Sequence, residues 1–475
     1  MNRKNIFKKI GLIILLALVV TSCEKWIDSD INVDPNATTD VPMNLLLPSV
    51  QGRVAFNIAG GNDIVRTTAI WTQQLTGIAR QSQSEGSYTL RAGDVNNLWS
   101  ACYAGALHDA KILTEKAQAE ETRSAAFEGV GKIMTAFAYA TMADVWNDVP
   151  MDEALLGDEN PQPAFNTQQE IYTKVQTMLD EAISLLGNTG DDIFDLEGDL
   201  IYGGDTDMWI KAAYALKARY ALQLSKKNGD QAYTDALNYI GNAFTSNADN
   251  MLYNYGGNPN DGNPLWLFME QRGDVVMGSF LMDYLNETDD PRIAVLATPI
   301  ADTIEYEGVT YFPGDYFGSR PDVISSDASL PGPAIASASS PTAYISYPEL
   351  LFIKAEAEHM TGGDAATTLK SAVAASMEYY GIEDADWLTG YEAKVDGLSG
   401  DDLHKEIMMQ KYVALTYSNP VYNDFRRTNN VIGITANPLG GDEFPKRFPY
   451  ASDPVTFNQN TPTDVDIFQR VWWDN

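Results

Sequence analysis

Amphipathic segments of helical period, arriving as close neighbours, constrain the fold of this chain more than any other feature. Residues 124–146 place Phe127, Val130, Met134, Phe137, Thr141 and Val145 on one face at three- and four-residue spacing. That is the period of a helix with one side buried. Residues 167–186 open on Thr167-x-x-Glu170, a capping box that satisfies two orphan backbone N–H groups, and stop at Gly187. Trp209, Ala213, Leu216 and Tyr220 form the stripe of 206–226, and a second helix follows the break KKNGD as far as Phe244. Further helices are predicted at 43–59, 95–119, 346–361, 365–380 and 402–417.

Three of these pairs are joined by short breaks: 95–119 with 124–146, 206–226 with 230–245, and 346–361 with 365–380. Short connections make antiparallel neighbours, so the pairs are expected to stack as tetratricopeptide-like hairpins, although no strict ~34-residue period is visible. The expected class is all-α, a helix-hairpin scaffold with long irregular ligand-binding loops at 60–94, 247–275 and 297–342.

The N-terminus bears on location. Arg3, Lys4, Lys8 and Lys9 precede an apolar run from Ile10 to Val20 that is too short for a stable bilayer span. Thr21 and Ser22 then lead to Cys23, a loose lipobox, so residues 1–22 read as a lipoprotein signal peptide and Cys23 as the lipidated residue. Cleavage there removes four basic groups and no acids, taking the net charge from −33 to −37. Such a surface repels nucleic acid and anionic membrane faces, leaving the lipid as the only membrane anchor. The second cysteine, Cys102, lies in the helical stretch LWSACYAGAL and reads as a buried small residue.

Catalytic motifs are absent: no HExxH, GxSxG, GxxxxGK[ST] or dinucleotide fingerprint. GVGK at 129–132 falls inside an amphipathic helix and is explained by packing. His108, His359 and His404 are scattered singly and read as surface or capping residues. With 65 acids in the chain, a carboxylate pair has no discriminating power for glycoside hydrolysis. The clusters Asp191-Asp192, Asp205-x-Asp207 and Asp289-Asp290 lack the full EF-hand spacing. No cofactor is expected, structural calcium being the one ion these acids would suit. Aromatic residues are dense between 250 and 320. Rings on irregular backbone suit the apolar faces of sugars, and equally peptide side chains.

Six stretches of the chain resemble the SusD/RagB family of Bacteroidetes outer-membrane nutrient-binding lipoproteins. They are INVDPNATTDVPMNLLLPSVQ (31–51), LWSACYAGALHDAK (98–111), DLIYGGDTDMWIKAAYALKARYAL (199–222), and YISYPELLFIKAEAEHMTGG (344–363) with VYNDFRRTNN (421–430) and PKRFPYASDP (445–454). The resemblance implies one domain over 23–475, with a helical scaffold at about 40–250 and 343–420 and a variable binding region at about 250–342. It also implies an oligosaccharide-binding, non-enzymatic lipoprotein on the cell surface, anchored in the outer membrane as the lid of a SusC-like TonB-dependent transporter. The alternative within the family is a peptide-binding lid, which the acidic surface suits if the peptide is cationic.

Trp99, Tyr103, Trp209, Arg219, Glu349, Glu356, Asp424 and Arg426 lie in these motifs and read as framework, with Asp424 and Arg426 as a buried ion pair. The family's ligand residues fall in variable loops and are not carried over. Candidates are therefore chosen on chemistry: Arg80, Tyr88 and Arg91 in the 60–94 loop, and Tyr255, Trp266, Tyr316 and Phe317 in the middle region. Trp266, after the turn-rich NPNDGNP, is expected on a loop.

Overall fold

In the computed structural model, which describes residues 40–475, the apolar stripes become helices. In chain order the principal ones are α1 Met43–Val54, α2 Thr67–Trp71, α3 Arg80–Gly86, α4 His108–Gln118, α5 Ala125–Trp146, α6 Gln168–Leu186, α7 Thr206–Gln223, α8 Asp230–Ile240, α9 Pro264–Gln271, α10 Ser279–Glu287, α11 Tyr347–Thr361, α12 Ala365–Tyr379, α13 Ala385–Asp396, α14 Gly400–Ala414, α15 Asn419–Arg427 and α16 Ser452–Phe457. Their ends follow from local chemistry. Thr167 N donates to Glu170 Oε2 at 2.8 Å while Glu170 N donates to Thr167 Oγ1 at 3.3 Å, completing the capping box of α6. Asp192 accepts from the N–H groups of Ala125 and Ala126 at 2.7 and 2.9 Å and so caps α5.

The hairpins form as expected. α4 packs on α5, α5 on α6, α6 on α7, α7 on α8, α8 on α11 and α11 on α12, one continuous row of packed neighbours. Helix accounts for 55% of the described residues and strand for 6%, so the fold is mainly helical. The strands are β1 Leu75–Gly77, β2 Met251–Tyr253, β3 Val275–Met277, β4 Ile304–Tyr306, β5 Val309–Tyr311 and β6 Thr342–Ile345. They pair antiparallel as β1 with β3, β2 with β6 and β4 with β5. The first pairing sets Leu75 opposite Met277 and Thr76 opposite Val276, tying the 60–94 segment to the middle region. Residues Met43–Asn475 form one compact unit.

Buried charge locks the helices together. Arg219 on α7 donates twice to Glu349 on α11, both at 2.6 Å. Arg427 holds Glu356 at 2.5 and 2.7 Å. The expected Asp424–Arg426 pair does not form. Asp424 pairs instead with Arg427 and Lys411, each at 2.7 Å, because i and i+3 share a helix face whereas i and i+2 diverge. Arg426 donates to the carbonyls of Asp144 and Lys446 at 2.8 and 2.7 Å, its guanidinium 3.9 Å from the Tyr422 ring centroid.

Other expectations divide similarly. Cys102 is buried and burial pushes its thiol pKa up, leaving it inert. His359 and His404, read as isolated, stack with ring centroids 5.3 Å apart across α11 and α14. The 60–94 segment is largely helical rather than irregular, since α2, α3 and a turn at Asn62–Arg66 occupy much of it. Those turns are too short to show a hydrophobic period. The signal peptide 1–22 and Cys23 lie outside the described residues, and among those described no helix is long and apolar enough to cross a membrane.

Candidate functional site

Among the described residues, three turns are wound as π-helix: Ala55–Ala59, Asn62–Arg66 and Ala101–Leu107. Such turns are rare and concentrate at functional sites, because the extra residue re-aims the side chains around it. Here the first packs against both of the others, and all three line one cleft of about 510 Å³. Gly60 and Gly61 permit the break between the first two. A Cβ on Gly61 would fall 2.1 Å from the Asn57 carbonyl oxygen, and one on Gly60 would fall 2.4 Å from Thr342 Oγ1.

Phe56 and Asn57 enter the cleft from the first π turn, Asp63 and Arg66 from the second, and Ala101 from the third. Gln81 comes from α3, Asp94 from the 3₁₀ turn Ala92–Val95, and Asn97 from the helical turn Asn96–Ser100. On the opposite wall α9 contributes Leu267, Phe268 and Gln271, with Arg272 just beyond its end.

The Arg66 guanidinium is a strut. It donates to both carboxylate oxygens of Glu85, at 2.7 and 3.2 Å, and lies 4.5 Å from the Phe268 ring centroid. Trp71 Nε1 donates to the Glu85 carbonyl at 3.0 Å, fixing α3 on α2. Arg66 is therefore neutralised before any ligand arrives. Asp63 differs. Burial raises its pKa above the ordinary value of 3.8, more than Arg66 and Arg272 pull it down. A half-buried carboxylate in that condition is a strong acceptor for incoming O–H or N–H donors. The Asp94 carboxylate already accepts from Arg91 N at 2.9 Å. The amides of Asn57, Gln81, Asn97 and Gln271 supply both donors and acceptors. Phe56, 39% exposed, adds an aromatic face. Converging carboxylate, amides and rings suit a neutral, hydroxyl-rich ligand.

A larger groove of about 830 Å³ lies between α4, α5 and α6. Its lysines are satisfied within the protein: Lys132 lies 2.8 Å from Glu181, Lys174 lies 3.1 Å from Asp152, and Lys111 donates to the Leu155 carbonyl at 2.7 Å. Its acids Glu115, Asp152 and Glu181 are half exposed or more, so it lacks a buried carboxylate of the Asp63 kind. Among the described residues, no three His, Cys, Asp or Glu side chains gather closely enough to hold a metal ion. The acid clusters have structural partners instead, Asp192 at the α5 cap, Asp205 at the α7 cap and Asp290 on Arg292.

The seven residues chosen from sequence separate in space. Arg80 is exposed beside Gln81 and lies 3.5 Å from Asp274. Arg91 is exposed at the start of the turn that carries Asp94. Trp266 sits in the first turn of α9 and not on a loop, because Asn263 Oδ1 accepts from Leu265 N and Trp266 N at 2.8 and 3.1 Å and Pro264 opens the helix. Its half-buried ring packs beside Gly262, while Leu267 and Phe268 line the cleft.

Tyr88, Tyr255 and Phe317 are buried. The Tyr88 hydroxyl accepts from Asn437 N, the Tyr255 hydroxyl bonds Thr342 Oγ1, both at 2.9 Å, and Phe317 stacks on Tyr311 at 4.5 Å. Rings covered in this way offer no face to a ligand and serve as framework. Tyr316 is half-buried, away from the cleft, its carbonyl accepting from Asn286 Nδ2 at 3.0 Å. Sequence reasoning missed Phe56, Asn57, Asp63, Asn97 and Phe268. The one signal pointing toward them was the Gly60-Gly61 pair interrupting an apolar segment.

Comparison with known proteins agrees with the architecture. A family model described as "SusD-like: starch-binding associating with outer membrane" matches residues 35–451. A solved SusD/RagB family protein from Bacteroides thetaiotaomicron is similar at 28% identity and TM-score 0.77, covering 92% of this chain and 99% of its own. A solved chitin-binding protein is similar at 25% identity and TM-score 0.77, covering 91% and 100%. A chitin-binding SusD homologue from Flavobacterium johnsoniae shares the fold at 18% identity and TM-score 0.76, covering 91% and 98%. No curated protein matches this chain. From the match over most of its length, this chain belongs to the SusD-like family of outer-membrane-associated binding proteins.

Proposed function

We propose that this protein captures neutral oligosaccharide in the cleft between the π turns and α9, and delivers it unaltered to a TonB-dependent outer-membrane transporter. The observation that carries this reading is the convergence of the Asp63 carboxylate, the Asn57, Gln81, Asn97 and Gln271 amides and the Phe56 ring on one cleft of about 510 Å³. Hydroxyl groups of a sugar donate to the carboxylate and exchange hydrogen bonds with the amides, while the aromatic ring accepts an apolar sugar face. A chitin-binding protein of the same fold, 25% identical, supports a β-linked or related glycan as ligand. Lipidation at Cys23 would hold the protein at the cell surface beside its transporter.

A glycan and peptide array probed with the mature chain, in parallel with an Asp63→Ala/Asn97→Ala variant, tests the reading. Binding to neutral oligosaccharides that the double variant loses is the expected result. Binding to peptides alone would replace the glycan reading with a peptide-lid reading.

A further inference from the structure

Two arginines line the cleft, and only one of them is already occupied. Glu85 neutralises Arg66, with 2.7 Å between Arg66 Nη2 and Glu85 Oε1. Arg272 is exposed just past the end of α9, and its side chain has no hydrogen-bond or ion-pair partner among the described residues. It lies close enough to Asp63 to pull that carboxyl's pKa down, yet the two do not pair. The turn Asn62–Arg66, which carries Asp63, packs directly on α9. An acceptor and an unused donor therefore stand on adjoining parts of one cleft.

The same cleft is lined with hydrocarbon on both sides, by Leu98 and Ala101 on one wall and by Leu267 and Phe268 on the other. Leu98 and Phe268 are only 2% and 8% exposed, and Arg66 covers a face of the Phe268 ring. Too little of these side chains is open to stack a pyranose, whereas a single methyl group needs no more than such a contact.

A sugar hydroxyl uses neither the separation of donor from acceptor nor the apolar lining. An acetamido substituent uses all three features: its N–H donates to a carboxylate, its carbonyl accepts from a guanidinium, and its methyl group meets hydrocarbon. Acidic sugars are disfavoured, because with Arg66 neutralised the carboxylates of Asp63 and Asp94 outnumber Arg272 in the cleft.

We propose that Arg272, facing Asp63 across the end of α9, makes the cleft selective for oligosaccharides of 2-acetamido sugars. Arg272 would bind the acetamide carbonyl, Asp63 the N–H, and the apolar lining the methyl group. This rests on the glycan reading of the cleft.

The test is titration calorimetry of the mature chain, as wild type, Arg272→Ala and Asp63→Ala. The probes are chitotetraose, cellotetraose, maltotetraose and tetra-alanine. Cellotetraose has the linkage of chitotetraose with a hydroxyl in place of each acetamide, so the two isolate the substituent.

Wild type should bind chitotetraose roughly tenfold or more tightly than cellotetraose, since a site built around a polar group rejects the analogue lacking it. Arg272→Ala should remove most of that preference, weakening chitotetraose by roughly tenfold and cellotetraose far less, while Asp63→Ala should weaken both. Equal wild-type affinity for the two, or a preference that survives in Arg272→Ala, would overturn the acetamide inference and leave the glycan reading in place. Wild type that binds cellotetraose or maltotetraose but not chitotetraose would do the same. Binding of tetra-alanine and of none of the sugars would overturn the glycan reading itself and the acetamide inference with it.

Discussion

Arg66 and Glu85 meet through two parallel hydrogen bonds of 2.7 and 3.2 Å with both side chains almost wholly removed from water. The pair joins the π turn that carries Asp63 to helix α3 that carries Gln81, so one buried contact holds two walls of the cleft in register.

Truncating one partner leaves the other charge buried alone. Glu85→Ala should lower the unfolding free energy by about 3–5 kcal/mol, well above a surface substitution. Urea denaturation followed by circular dichroism measures it. A loss below about 1 kcal/mol would mean the pair is not a clamp.

Asp63 predicts a pH dependence with a definite sign. An acid whose pKa is raised on folding binds its proton more tightly in the folded state, so stability falls as pH rises from 3.8 through the raised value. Asp63→Asn removes that penalty. The variant should melt above wild type at neutral pH, with the gap closing as pH falls below 3.8. Melting curves across this range check both the direction and the closing of the gap.

Trp266 separates packing from recognition. Its ring is half-buried against Gly262 in the first turn of α9, with its neighbours rather than itself lining the cleft. Trp266→Ala should cost less than the about 3–5 kcal/mol of a fully buried tryptophan, and should lower the melting temperature measurably. Oligosaccharide affinity at a temperature where the variant is folded should change by less than about threefold, below the energy of an aromatic hot spot. A large affinity loss with unchanged melting would make Trp266 a ligand contact.

The proposed lipid anchoring rests on Cys23 and the apolar run before it. If Cys23 carries the only lipid anchor, Cys23→Ala should move the protein from the membrane fraction to the soluble periplasmic fraction. Immunoblots of the two fractions decide the matter, and unchanged membrane association would contradict a lipid anchor.

The scaffold was legible because its signals are local and repeated. The 124–146 stripe and the Thr167–Glu170 box each specify a helix by side-chain period or cap chemistry, and α5 and α6 form where these signals lie. The site was not legible for the opposite reason. Helix α3, RQSQSEG, has no apolar stripe, and its buried Glu85 is matched by an arginine 19 residues earlier. π turns carry an extra residue per turn and blur the 3.6-residue period.

Asn263-Pro264 is a helix start that reads equally as a turn. Aromatic content alone does not say which face of a ring is covered. Tyr88, Tyr255 and Phe317 are covered on the fold's own terms, whereas Arg80, the first residue of α3, and Arg91, at the start of the turn that carries Asp94, fall beside the cleft.

The proposed function stands on Asp63 receiving the hydroxyl groups of a neutral oligosaccharide. Titration calorimetry of Asp63→Asn against the oligosaccharide that wild type binds best, with a melting curve on the same sample at neutral pH, tests it most directly. Affinity should fall roughly ten- to hundredfold, as expected for losing hydrogen bonds to a charged acceptor, while the melting temperature rises. Unchanged affinity in a variant that melts higher would place the ligand elsewhere and contradict the account.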